Sequence, residues 1–151
     1  MLKLTIEMVP QTCWGRNLRS RMPSADWDRV RKFAYVRAGN KCEVCGGKGM
    51  LHCHERWEYD GGRKVQKCVG LVALCVHCHG IKHYGRSSVE CSQEQLGRLH
   101  KHFMKVNKVG KEVLDKHIRE SVAAWMERSE SEWSVDYGGY DRWQDVLLGK
   151  V

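Results

Sequence analysis

Four cysteines fall into two CxxC pairs, Cys42-Glu43-Val44-Cys45 and Cys75-Val76-His77-Cys78, with 29 residues between them. Thiolates are soft, strongly donating ligands, and two such knuckles at this spacing supply a complete tetrahedral set for a structural zinc ion. A plain zinc ribbon has no use for the histidines that crowd the same stretch. His79 follows the last of these cysteines directly, His83 stands four residues on, and His52 and His54 lie in the enclosed loop. An imidazole, with an ordinary pKa of about 6.5, can accept a proton at neutral pH or hold a divalent ion. Chemistry is expected at these histidines.

Local elements must bring them together. Leu51 to Tyr59 reads as a strand, Gly61-Gly62 as a turn and Lys64 to Val69 as the start of a return strand. The apolar run Leu71-Val72-Ala73-Leu74 leads into the second knuckle. On such a strand His52 and His54 share a face. A short helix is expected from Cys78 through His83 or Tyr84, which sets His79 and His83 one turn apart on one side.

The flanks read as support. Leu2, Leu4 and Ile6 alternate with Lys3 and Glu7 in the period of a short first strand. Gln11 to Pro23 carries Arg16, Arg19 and Arg21 and reads as an irregular arm that either follows a phosphate backbone or wraps the domain. Ser24 suits an N-cap, Asp26 and Asp28 favour the first turn, and Gly39 suits the end, which predicts a helix over 24–38. Its apolar stripe is Trp27, Val30 and Ala34, with Val36 as a further candidate. Beyond Ser92, which forms a capping-box pattern with Gln95, Leu96, Leu99, Phe103 and Val106 make a helical stripe broken at Val109-Gly110. A second helix follows, with Val113, Leu114, His117, Ile118, Val122, Trp125 and Met126 as its apolar face. The two are expected to form an antiparallel hairpin over the zinc core, with His100, His102 and His117 at its surface or edge. Trp133, Tyr137, Tyr140 and Trp143 are expected to anchor the C-terminus in the core.

At 151 residues the chain is of single-domain size. It contains no apolar run of the roughly 18 residues needed to cross a membrane. Six of the eight cysteines lie between positions 42 and 78, which favours metal ligation in a reducing cytoplasm over secreted disulfides. Cys13, Cys68 and Cys91 have no evident partner. Residues 1–90 carry 16 Lys/Arg against 8 Asp/Glu, whereas residues 91–151 carry 10 of each, so the whole excess charge of +8 belongs to the cysteine-bearing part. A localised basic field favours a polyanion, nucleic acid above all, although a basic surface can also be merely solvated.

The run from Cys42 to His83 resembles the HNH endonucleases, whose ββα-metal module is often braced by a four-cysteine zinc site. The resemblance is carried by Cys42 and Cys45, the histidine-bearing strand, and the string Leu74-Cys75-Val76-His77-Cys78-His79-Gly80-Ile81-Lys82-His83. That string looks like the family's LCxxCHxxKH signature. The resemblance covers about 45 of the 151 residues and implies a zinc-braced ββα-metal core over 41–86; with the flanks read from their own patterns, a basic arm and helix over 1–40 and a helical scaffold with an aromatic tail over 91–151, the expected fold is α+β in one domain. It also implies that His54 is the general base and that His79 and His83 hold a catalytic divalent ion.

Two positions depart from the family pattern. Cys53 stands where a metal-binding Asp or His usually precedes the base. Thiolate is ill suited to Mg²⁺, so the ion is either a transition metal or one held by two histidines and water, with Mg²⁺, Mn²⁺, Ni²⁺ and Zn²⁺ as candidates. Gly70 stands where relatives carry a bracing Asn. Lys82 and Arg86, beside the metal helix, and Arg56, two residues from the base, are placed to hold phosphate. His52 is the second candidate for base or ligand, and Asp60 could orient a histidine or touch the metal. The alternative for His54 is a core histidine. The resulting expectation is metal-dependent hydrolysis of double-stranded DNA to 5′-phosphate and 3′-hydroxyl ends, in phage biology, restriction or bacterial defence. The expected setting is the cytoplasm of a bacterium or phage-infected cell. The alternatives are a DNA- or protein-binding zinc module whose catalytic site has decayed, and a nuclease subunit active only in a larger complex.

Overall fold

Between the two cysteine pairs the chain folds back on itself. Strands β1 (Leu51–Asp60) and β2 (Val65–Cys75) pair antiparallel, with His54 opposite Val72 and Arg56 opposite Gly70. The apolar run 71–74 is thus the continuation of the return strand, not a separate element. Asp60 closes the turn, its Oδ1 accepting from the Gly62 and Arg63 N–H groups at 3.1 and 3.0 Å. A short β3 (Ser134–Asp136) adds parallel to the far side of β2, giving the order β1-β2-β3. The computed structural model describes all residues from Met1 to Val151, and its seven α-helices and three-stranded sheet make an α+β fold.

Successive strand residues point to opposite faces, and each face here meets its own core. On one side Leu74 packs with Leu4, Ile6 and residues of four helices: α3 (Val76–Lys82), α4 (Tyr84–Glu90), α5 (Gln93–Asn107) and α6 (Lys111–Ser129). On the other, Cys53, Cys68 and Leu71 pack against α1 (Leu18–Arg21), α2 (Ser24–Arg37) and α7 (Trp143–Leu147). Helix α4 follows α3 directly. Beyond β3 the outer edge of β2 has no strand neighbour, and an unpaired edge invites pairing with other chains. Side chains close it instead. The Tyr140 hydroxyl donates to the Val69 carbonyl, Arg37 Nη2 donates to that of Leu71, and the Glu43 carboxylate accepts from the Ala73 N–H. Gly138 permits the tail's approach: at φ +62°, an added Cβ would lie 2.5 Å from the Cys68 carbonyl oxygen.

Several expectations change. Residues 2–8 form no strand. Their alternation is real, with Leu4 and Ile6 buried, but the backbone bonds to side chains: Leu4 N–H to Asn107 Oδ1 and Ile6 N–H to His117 Nε2, both at 2.9 Å. His117 is therefore a strut. The arm wraps the domain, since Cys13, Leu18 and Met22 are buried and the Leu18 N–H donates to the buried Glu55 carboxylate at 2.8 Å. On α6 only Leu114 is fully buried, while Val113 and Met126 are exposed, so that helix meets the core along a narrower stripe than its composition suggests. The tail does anchor: Trp133 is buried, and the Tyr137 hydroxyl donates to the Arg16 carbonyl.

The N-terminal segment brings a carboxyl inside. Glu7 lies beside Tyr59, Arg128 and His117 in a cleft of about 310 Å³, with its Oε1 unbonded. Burial pushes its pKa from 4.5 up to about 7, outweighing the pull of Lys82. Between those values the folded chain holds a proton that the unfolded chain has lost, so stability should fall as pH rises through this window. Denaturant titrations at pH 4.5 and 7.5 should differ by on the order of 2–3 kcal/mol for this group, and Glu7→Gln should abolish that part of the difference. An unchanged slope in the variant would remove Glu7 as its cause.

Candidate metal centre and histidine cluster

The knuckles converge because β2 ends at Cys75, whose Sγ also caps α3 by accepting from the Cys78 N–H at 3.4 Å. Cys42 arrives after the Gly39 turn that ends α2, and its own Sγ accepts from the Cys45 N–H. The sulfurs of Cys42, Cys45, Cys75 and Cys78 all lie within 4.8 Å of one another. Four soft donors at this spacing fit a tetrahedral ion such as Zn²⁺. Burial raises the Cys42 thiol pKa, yet backbone N–H groups, that of Cys45 foremost, more than offset it and bring the pKa down to about 7, which favours the ligating thiolate. Cys78, fully buried, is pushed strongly upward by burial and by the other three sulfurs, a repulsion that a bound cation would relieve.

A further residue joins this centre. His102, from the middle of α5, places Nε2 3.1 Å from Cys78 Sγ and stacks obliquely on His77. Its sequence neighbours, none of them a ligand, predict only a surface or edge position. Only the packing of α5 on α3 brings it in.

Above the same helix four imidazoles meet. The His52 ring lies 8° from parallel to His79 with centroids 4.5 Å apart. His54 is 4.8 Å from His83 and 5.6 Å from His79, and His79 and His83 are 4.6 Å apart. β1 contributes the first pair from one strand face, α3 contributes His79, and His83 is the residue that caps the end of α3. His54 is buried, and its Nδ1–H donates to the Glu55 carbonyl. A carbonyl only accepts, so the proton is fixed on Nδ1 and Nε2 is left with its lone pair. Burial, then the neighbouring His83, lowers the His54 pKa to about 3 and keeps the ring neutral. Burial and the other three histidines lower His79 likewise to about 3.

No family model, curated protein or solved structure matches this chain. What the site can do therefore follows from its own geometry.

Three expected site residues are placed elsewhere. Cys53 points to the opposite sheet face, packed in the core beneath α2, and burial pushes its thiol up to about 12. It stands apart from His79 and His83 because it alternates with His52 and His54 along β1. Asp60 caps the hairpin turn, six residues of extended strand beyond His54, roughly 20 Å away. Lys82 is half-buried and its Nζ donates to Thr5 Oγ1 at 2.9 Å, so it ties the N-terminal segment to α3 and is not free for phosphate.

Arg86 remains exposed on α4, sharing a solvent-facing pair with Glu90 that costs little to exchange. Arg56 lies on the sheet face that carries His54. Its guanidinium occupies the space over Gly70, where an added Cβ would sit 2.7 Å from both Nε and Nη2. Arginine thus fills the place where the resemblance led one to expect an asparagine side chain. No helix of the chain is long and apolar enough to cross a membrane.

Proposed function

We propose that this chain is a metal-dependent endonuclease of the HNH kind that hydrolyses phosphodiester bonds in double-stranded DNA. One observation supports the reading above the others. His52 and His54 from β1 meet His79 from α3 and His83 at its C-terminal cap, and His54 holds an unprotonated Nε2 within the cluster. His54 takes the proton of the attacking water at Nε2, while its Nδ1–H bond to the Glu55 carbonyl fixes the ring and steadies the imidazolium that forms. His79 and His83 would hold a divalent ion, which supplies positive charge to the phosphoryl and leaving 3′ oxygens when bound. His52, stacked on His79, holds that ring in place. Arg86 reaches phosphate by exchanging its exposed bond to Glu90. The four-cysteine centre braces the joint from which α3 starts.

The test is incubation of the zinc-loaded protein with supercoiled plasmid and Mg²⁺, Mn²⁺, Ni²⁺ or additional Zn²⁺. Nicked and linear forms should accumulate, faster with a transition ion than with Mg²⁺. Plasmid left intact under every ion but still retarded on a gel would sink the nuclease reading in favour of a binding module.

A further inference from the structure

The outer edge of β2 opens into a cleft of about 240 Å³, lined by Arg37, Glu43, Arg56, Gly70, Val72 and Tyr140. It is several times the roughly 30 Å³ that one water occupies in the liquid, enough for a solvated oxyanion. Two guanidiniums from different elements reach it, Arg37 from the last turn of α2 and Arg56 from β1. Neither is ion-paired. Arg37 spends one N–H on the Leu71 carbonyl at 3.0 Å, and Arg56 lies over the bare backbone of Gly70. The acidic member, Glu43, is already engaged by the Ala73 N–H at 2.6 Å. Two positive charges thus face the cleft against one negative.

The cleft is next to the histidines. Val72, which lines the cleft, pairs with His54, and Gly70 pairs with Arg56 two residues along, so the cleft extends along the sheet from the proposed base's own pair. Two residues of extended strand span about 6.6 Å. A DNA strand whose scissile phosphate sits at His54 would carry its neighbouring phosphate towards this cleft. A planar guanidinium grips a phosphate through two parallel N–H···O bonds, and two arginines approaching from different sides define one position for it.

The geometry points to a phosphate-binding cleft between Arg37 and Arg56 that holds the backbone phosphate adjacent to the scissile one. The inference rests on the nuclease reading for its substrate, but its test does not require cleavage. Gly70 becomes part of the device, because any side chain there would displace the Arg56 guanidinium.

Binding of a short fluorescein-labelled DNA duplex would be followed by anisotropy across a NaCl series, with the protein zinc-loaded and no other divalent ion added. Arg37→Ala and Arg56→Ala should each weaken binding roughly three- to tenfold and reduce the slope of log K against log salt by about 0.9, the value of one phosphate. The double variant should lose no more slope than either single one, because both side chains hold the same phosphate. Gly70→Ala should weaken binding with no change of charge, and Glu43→Gln should tighten it, which an unfolded variant cannot do. Arg119→Ala, exposed on α6, is the control and should leave the slope unchanged.

Additive slope losses in the double variant, or an equal loss at Arg119, would reduce the cleft to general surface charge and overturn it. Unaltered binding in Arg37→Ala would do the same. If these binding results hold while plasmid stays uncut, the cleft stands and the nuclease reading falls. Cleavage with unchanged slopes has the opposite meaning.

Discussion

His54→Ala should slow plasmid cleavage by about 10²–10⁴-fold, the usual contribution of a positioned general base. The loss should fall on kcat, with KM little changed, because phosphate is held by other side chains. Alanine alone is an imperfect test. His54 is buried, and truncation would leave a void and strand the Glu55 carbonyl without its donor. His54→Asn separates the effects. The Asn amide can place an N–H where Nδ1–H now donates, but it offers no basic nitrogen at the Nε2 position. Both variants should therefore be equally inactive, with the Asn form melting closer to the parent protein. If His54→Asn keeps most of the activity, His54 is a packing residue. His52, on the same strand face and stacked on His79, would then be the base to test.

What could be read from the sequence was local. The knuckles, the hairpin turn at Gly61-Gly62 and the Ser92–Gln95 capping box each depend on residues a few positions apart, and each is present. The histidine cluster was half legible. Spacing puts His52 and His54 on one face and His79 and His83 on one side, but only the register of β1 on β2 and the start of α3 at Val76 make the two pairs meet. Cys53 and Lys82 show the limit. Strand alternation turns Cys53 away from its neighbours, and Lys82 is drawn to Thr5, 77 positions earlier. Residues 2–8 have strand periodicity without a strand to pair with, so burial follows the pattern while hydrogen bonding does not. β3 and His102 are set by long-range packing that no local signal carries.

Loss of the four-cysteine centre should unfold the protein rather than merely inactivate it. Cys42 and Cys78 are buried within one core, where they join the loop after α2, the end of β2 and the start of α3. Structural Zn²⁺ contributes roughly 10–16 kcal/mol of apparent binding energy in zinc-finger peptides, as large as the ~5–15 kcal/mol stability of a whole domain. Emptied of its ion, the centre would leave four sulfurs within 4.8 Å of one another, those of Cys42 and Cys78 buried, without their counter-charge. Cys78→Ser, or prolonged chelation, should abolish the cooperative melt followed by circular dichroism and remove one Zn²⁺ per chain by elemental analysis. His102→Ala should behave differently. Its Nε2–H bond to Cys78 Sγ neutralises part of the thiolate charge, so the variant should fold and bind zinc but release it to a chelator about 10–100-fold more readily. His54→Ala and His79→Ala should retain that zinc fully, since their side chains belong to the other cluster. A Cys78→Ser protein that melts like the parent would show instead that the two cores suffice without metal. The four cysteines would then be free for chemistry rather than structure.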